Sequence, residues 1–294
     1  VVFVTGDEEY RSADMCPQFA KILSKYHGFK CTVLFAVNKE TGTIEPTVLD
    51  NIPGLEALDS ADLMVIMARF RNLPDEQMKH IDDYLKAGKP VIGIRTATHS
   101  FKIAKGTYAQ YSFDSKVPGW EGGFGRRVLG ETWINHHGKH GSQSERGVVA
   151  PGQEKNPIVR GCQDIWGPSD VYAVRLPQPE GCVPVIMGQV LEGMNATDKP
   201  VTDAKNNPMM PIAWTKTYDI GGKTGKAFTS TMGCAKDFES EGFRRLLVNA
   251  AYWAVGLEDK IPEQAKVDIV GEYKALPMGF GAFRKSVKPA DHQN

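Results

Sequence analysis

Pro90-Val91-Ile92-Gly93-Ile94-Arg95-Thr96-Ala97-Thr98-His99 decides the fold. Residues 91–94 carry no polar side chain, and the run then stops on a charged, hydroxyl-rich turn. An unbroken apolar run of this length fits a strand buried on both faces, the usual situation in a parallel sheet. Upstream, the pattern recurs at residues 63–67, at 31–37 and at 1–4, where it ends in Thr5-Gly6-Asp7. Helices separate these runs. Ser12 can cap one in which Met15, Phe19, Ile22, Leu23 and Tyr26 recur at helical spacing before Gly28. Pro74 opens another, with Met78, Ile81 and Leu85 on one face and Gly88 at its end. Strands joined by such helices need crossover connections. The sequence therefore predicts a flavodoxin-like, mostly parallel α/β sheet with helices on both faces.

Downstream the pattern changes. Residues 105–156 are rich in Gly, His, Arg and aromatic residues and have weak periodicity, which predicts a long irregular insertion of functional or lid-like character. Strands are predicted at 171–176, 183–190, 212–217 and 226–231, the last two meeting at Gly221-Gly222. A final helix over 239–255 buries Phe243, Leu246, Leu247, Ala250, Ala251 and Trp253. The expected organisation is one α/β domain over residues 1–257. Residues 258–294 then form an extended tail, packed on the domain or on a partner, with a homo-oligomer as the candidate assembly. Because Val1 already lies in a strand pattern and no initiator Met precedes it, sequence upstream is expected, a signal peptide among the candidates.

Composition excludes several classes. Thirty-five Lys and Arg balance 35 Asp and Glu, and the pI is near 7.2, which argues against a nucleic-acid partner or a polybasic membrane surface. No stretch approaches the ~18 apolar residues of a membrane span. The five cysteines form no Cys-x-x-Cys pair, so zinc-ribbon and thioredoxin-like motifs are absent. Cys162 and Cys182, in loop-like sequence, are the one candidate disulfide, and an odd count leaves at least one thiol free.

Ligands of open α/β sheets bind beyond the carboxyl ends of the strands. Three such ends carry polar clusters: residues 6–11 with Asp7, Glu8, Glu9 and Tyr10, then Arg69-Phe70-Arg71-Asn72, then Arg95 to His99. Together they suit a polyhydroxylated or anionic small molecule. Neither a phosphate loop nor a dinucleotide fingerprint is present. Asn135-His136-His137-Gly138-Lys139-His140-Gly141 is the densest signal, placing three of the seven histidines within five residues. Imidazoles serve as acid/base groups or as metal ligands. If a divalent metal is bound, His136, His137 and His140 are the expected ligands, with Glu8 or Glu9 completing the shell. Asp170 is placed to orient a histidine and Tyr172 to meet a sugar oxygen. Trp120, Trp133 and Trp166 are candidates for a stacking platform, or for the core.

These residues resemble the ThuA-like (trehalose-utilisation) family of the class I glutamine amidotransferase-like superfamily. The resemblance runs through residues 1–6 with Tyr10, residues 61–69, Lys89 to Arg95, Gly122-Gly123-Phe124 to Gly138, Asp170-Val171-Tyr172, Pro211-Ile212-Ala213-Trp214 and residues 228–233. A planctomycete-type subgroup is most similar, sharing Arg95 to His99, His136 to Gly141 and Trp214-Thr215-Lys216. The resemblance implies a carbohydrate partner, keto-disaccharides included, and an exported or periplasmic location, with the cytoplasm as the alternative. It also implies what is missing. Amidotransferases of this superfamily place a Cys in Gly-x-Cys-x-Gly after a strand, where Gly93-Ile94-Arg95-Thr96-Ala97 has Arg95. Their later His-x-Glu is replaced by Met232-Gly233-Cys234-Ala235.

The sequence thus supports an enzyme acting on a sugar or keto-sugar derivative, without amidotransferase activity. The alternatives are a non-catalytic sugar-binding protein on a disarmed scaffold and a metal-dependent hydrolase using the histidine loop. The expected pocket is lined by Arg95, His99, His136, His137, Tyr172 and Asp170, with Tyr10 and Arg69 at its edges. Arg95 is expected to hold a hydroxyl or oxyanion directly, so that its truncation weakens binding and spares the fold.

Overall fold

The computed structural model describes residues 1–292. In chain order its elements are β1 (Val2–Gly6), α1 (Ser12–His27), β2 (Thr32–Leu34), β3 (Met64–Ala68), α2 (Asp75–Lys86), β4 (Val91–Ile94), β5 (Glu145–Val149), β6 (Trp166–Gly167), β7 (Cys182–Val190), β8 (Met210–Ile220), β9 (Lys223–Ser230) and α3 (Glu241–Ala254). All nine strands form one sheet in the order β2-β1-β3-β4-β9-β8-β7-β5-β6.

That sheet corrects the expected topology. The pairings from β2 to β9 are parallel, and those from β9 to β6 are antiparallel, so the sheet is mixed rather than mostly parallel. The cause is local. Gly221 and Gly222 both take positive φ, 67° and 82°, and turn β8 directly back into β9. No α-helix lies between β4 and α3 to supply a crossover. Residues 171–176 do not form the expected strand. Only His136 and Tyr172 make a bridge there, and the Arg175 amide is taken by the Glu131 side chain. The 105–156 insertion is also less irregular than expected, because it contains β5.

The apolar runs explain the layers. Every residue of β3 is buried, and alternate side chains feed opposite faces. Val65 and Met67 join Phe3, Ile92, Ile94 and Phe228 in a core under α1 and α3. Met64 and Ile66 join Val4, Val91 and Ala227 under α2. Helices therefore cover both faces, as expected. No described helix is long and apolar enough to cross a membrane. The five cysteines are free, so Cys162 and Cys182 do not pair. The Cys162 thiol lies against the carbonyls of Ile158 and Arg160, whereas Cys182 opens β7 next to Gly130.

Beyond α3 the chain runs largely without regular structure back across the molecule. Ala265, Val267 and Ala275 are buried in the α1/α3 core. The Leu276 amide donates to Asp14, and Arg11 Nε donates to the Pro277 carbonyl. The tail thereby reaches the loop after β1.

The insertion docks on the turn after β4 with almost no clearance. A Cβ on Gly125 would sit 2.1 Å from the Thr98 carbonyl oxygen and 2.9 Å from that of Glu131. Gly125→Ala is expected to cost about 1–3 kcal/mol or more, as backbone overpacking does. Chemical denaturation measures this, and an unchanged midpoint would mean that the insertion is loosely seated.

Candidate functional site

The carboxyl ends of β1, β3 and β4 open on one rim, and the insertion folds over it. Arg95 follows β4 at φ 50°, a left-handed conformation uncommon for a non-glycine residue. The sharp turn expected after this strand is therefore present, but its side chain points inward. Arg95 is fully buried. Its Nη1 donates to the carbonyls of Asp170 and Thr231, both at 2.6 Å. Its Nη2 donates to Asp170 Oδ1 at 2.9 Å and to the Tyr10 hydroxyl at 3.2 Å. The Tyr172 and Tyr10 rings cover the guanidinium, with centroids 3.7 and 4.4 Å away. This corrects the expected role: both terminal nitrogens are occupied, so Arg95 holds Asp170 rather than substrate.

Asp170 is the hub. Its Oδ2 accepts from His136 Nδ1 at 2.7 Å and its Oδ1 from His140 Nδ1 at 2.9 Å. Burial alone would raise its carboxyl. Arg95 and the two imidazole hydrogen bonds outweigh that and hold it below the usual aspartate range. An ionised Asp170 is a pure acceptor, so both histidines donate to it from Nδ1. His140 Nε2 lies 3.6 Å from Glu9 Oε1. His136 and His140 are about one-third exposed, so solvent can reach them while Asp170 stays sealed.

A second buried acid lies behind Arg95. Glu145 Oε1 is 4.0 Å from Nη1. Burial lifts the Glu145 carboxyl well above its ordinary value, with Arg95 opposing and Asp237 reinforcing. Ser169 Oγ lies 2.8 Å from Glu145 Oε1 and 2.6 Å from Asp237 Oδ2. One hydroxyl hydrogen serves only one of the two oxygens, and a neutral Glu145 supplies the other. Asp170 thus remains the counter-ion of Arg95.

The other expected residues separate. His99 is buried, between Phe70 at 5.0 Å and Trp133 at 5.6 Å. Burial, then Arg69, Arg95 and His136, push its imidazole well below the ordinary value, so it is a neutral wall of the site. His137 stands outside the Asp170 cluster, its Nε2 donating to the Lys205 carbonyl at 2.8 Å. Glu8 is likewise withdrawn, accepting from the Gly281 amide. Tyr10 and Tyr172 are both buried and act on Arg95. Arg69 stands at the edge, 3.5 Å from Glu9 and stacked between the Phe70 and Phe280 rings. Of the three tryptophans only Trp133 belongs here. Trp120 packs on Tyr111, and Trp166 donates to Ser144.

Two parts were missed from sequence. The Gly279 amide donates to the Glu9 carbonyl and brings Phe280 to the rim. Nothing in the irregular tail signals that return. The Glu145–Ser169–Asp237 chain joins residues 24 and 68 positions apart, with no local pattern to reveal it. Among the described residues, His136, His140 and Asp170 are the set whose ligand atoms could converge on a metal, with Glu9 next to them. Cys234 is buried, its thiol pushed well above the ordinary value by burial and by Asp237.

A family model described as trehalose utilisation, ThuA, matches residues 1–254. No curated protein matches the sequence. Among solved structures, one described as a ThuA-like protein from Parabacteroides merdae superposes with a TM-score of 0.53 at 16% identity, covering 86% of this chain and 88% of its own. A second, from Bacteroides uniformis, gives a TM-score of 0.47 at 12% identity, covering 86% and 89%. The first of these shows a shared fold.

Two predictions follow from the buried charges. Arg95→Met leaves Asp170 without its cation and is expected to destabilise the protein by about 3–5 kcal/mol, rather than sparing the fold. Urea denaturation measures it, and a loss under about 1 kcal/mol would refute the assignment. Burial, with Glu9 adding to it, lifts the Asp7 carboxyl to about 7 against the opposing Tyr10 amide. A folded value above the unfolded one gives stability that is full below about pH 4 and lost as pH rises through about 7. Asp7→Asn removes that titration. The melting temperature of the variant relative to wild type should therefore rise between about pH 5 and about pH 8, and a constant difference would contradict it.

Proposed function

Because the chain belongs to the trehalose-utilisation (ThuA) family, we propose that it is an enzyme acting on a sugar or keto-sugar derivative by acid–base chemistry at His136 and His140. The observation that carries this reading is the double hydrogen bond of buried Asp170 to both imidazoles, at 2.7 and 2.9 Å. A carboxylate on Nδ1 fixes the tautomer and aims Nε2 at the cleft, which is how a histidine is prepared to take or return a proton. Either imidazole can then exchange a proton with a sugar hydroxyl or with the carbon next to a keto group. Arg95 positions Asp170, Trp133 and His99 wall the cleft, and Arg69 offers donors at its edge. Amide hydrolysis is not part of this reading, since Arg95 stands in the nucleophile position.

A metal-dependent hydrolase is the second reading, and one observation favours it. The ligand atoms of His136, His140 and Asp170 all lie within 4.8 Å of one another. Imidazole and carboxylate donors suit zinc and similar divalent ions, and a site with three protein ligands leaves a position for water.

Turnover of keto- and unmodified disaccharides tests both. His136→Ala is expected to slow turnover about 10²–10⁴-fold, the range for a lost acid/base group. No ammonia should be released from glutamine. Dialysis against a chelator separates the readings: turnover survives it under acid–base chemistry. Loss that zinc restores would establish the metal enzyme. Wild-type protein that binds these sugars without converting them would leave only a binding function.

A further inference from the structure

Arg69 follows β3 at the rim and is held by three contacts. Its guanidinium carbon lies 4.6 Å from the Phe70 ring centroid and 5.1 Å from that of Phe280. Its Nε faces Glu9 Oε2 at 3.5 Å. Nε is sealed from solvent and makes no hydrogen bond among the described residues. Nη1 and Nη2 make none either, yet they stay open to solvent in a side chain 30% exposed. The neighbouring guanidiniums differ. Buried Arg71 spends Nε and Nη1 on the Arg69 and Val48 carbonyls, and buried Arg95 spends both terminal nitrogens.

We infer that Arg69 binds an oxyanion of the substrate, so that the molecule taken by the His136–His140 centre carries a carboxylate or a phosphate. The inference rests on the sugar reading proposed above and narrows its substrate class. The donor set suits an anion. A planar guanidinium offers paired donors that match two oxygens of a carboxylate or phosphate, whereas a neutral hydroxyl uses only one of them. The place suits it too. Glu9 Oε1 lies 3.6 Å from His140 Nε2, and its other oxygen faces Arg69, so one carboxylate spans the distance from imidazole to guanidinium. A ligand the size of one sugar ring reaches both. Arg69 is also among the charges that push the His99 imidazole of the cleft wall below its ordinary value. Lys102, its ammonium 5.8 Å from the Phe70 centroid, adds to the positive field that draws an anion to this edge.

The fork is ordered before any ligand arrives. Glu9, which fixes its Nε side, is itself tied down: its amide donates to Asp7 Oδ1 at 3.2 Å, and its carbonyl accepts from the Gly279 amide at 2.8 Å. Gly279 and Gly281 take positive φ, 139° and 76°, on either side of Phe280. They set the Phe280 ring, 59% exposed, on the guanidinium. Donors held this way lose little freedom on binding.

Calorimetry with glucose, glucuronate and glucose 6-phosphate, and with the keto counterpart of each, tests the inference. Wild type is expected to bind an anionic member about tenfold or more tightly than its neutral counterpart, the gain of a charged hydrogen bond. A preference for glucuronate marks a carboxylate substrate, and one for glucose 6-phosphate a phosphorylated one. Arg69→Met should bring the ratio near one while leaving the affinity for the neutral sugar in place. Phe280→Ala, at an exposed position, should lower the same ratio several-fold. A wild-type ratio near one overturns the oxyanion assignment and leaves the sugar reading standing, and so does a ratio that survives in either variant. Wild type that binds none of the probes overturns the sugar reading and the assignment with it.

Discussion

A single buried ion pair organises this protein's cleft. Arg95 and Asp170 are both fully buried, 2.9 Å apart. Each of the segments around the cleft reaches this pair. Tyr10 comes from the loop after β1, the Thr231 carbonyl from the end of β9, His136 and His140 from the insertion, and Tyr172 from the segment after Asp170. Two charges out of water are tolerable only when their remaining donors and acceptors are met. Four hydrogen bonds from the two terminal guanidinium nitrogens and two imidazole donors to Asp170 supply most of those partners. The geometry of the histidines follows from that requirement.

The turn after β4 is shaped by what Arg95 braces. Arg95 adopts the left-handed backbone of a sharp strand-to-helix turn. Its guanidinium points inward and holds Asp170, a carboxylate from a distant loop. The two histidines that Asp170 holds lie one layer further out, about one-third exposed.

The antiparallel half of the sheet and the tail serve the same cleft from the other side. β5 supplies Glu145 beneath Arg95, and the tail pins the Glu9 backbone while carrying Phe280 to Arg69. These parts rim a site that the parallel strands alone would leave open.

The parallel core was legible in the sequence because buried strands and amphipathic helices leave periodic local patterns. Residues 91–94, 63–67 and 1–4 read as strands and are β4, β3 and β1 to within two residues. The histidine cluster was legible as a cluster, since three imidazoles so close together are uncommon, and Asp170, read as an acid that could orient a histidine, is hydrogen-bonded to two of them. The mixed sheet was harder to read, because strand direction depends on connections and not on composition. The direction in which Arg95 points, the withdrawal of His137 and the convergence of Glu9, Glu145 and Phe280 were decided by tertiary structure. Each depends on contacts between residues tens to hundreds of positions apart, and a side chain's burial is set by what closes over it rather than by its neighbours in the chain.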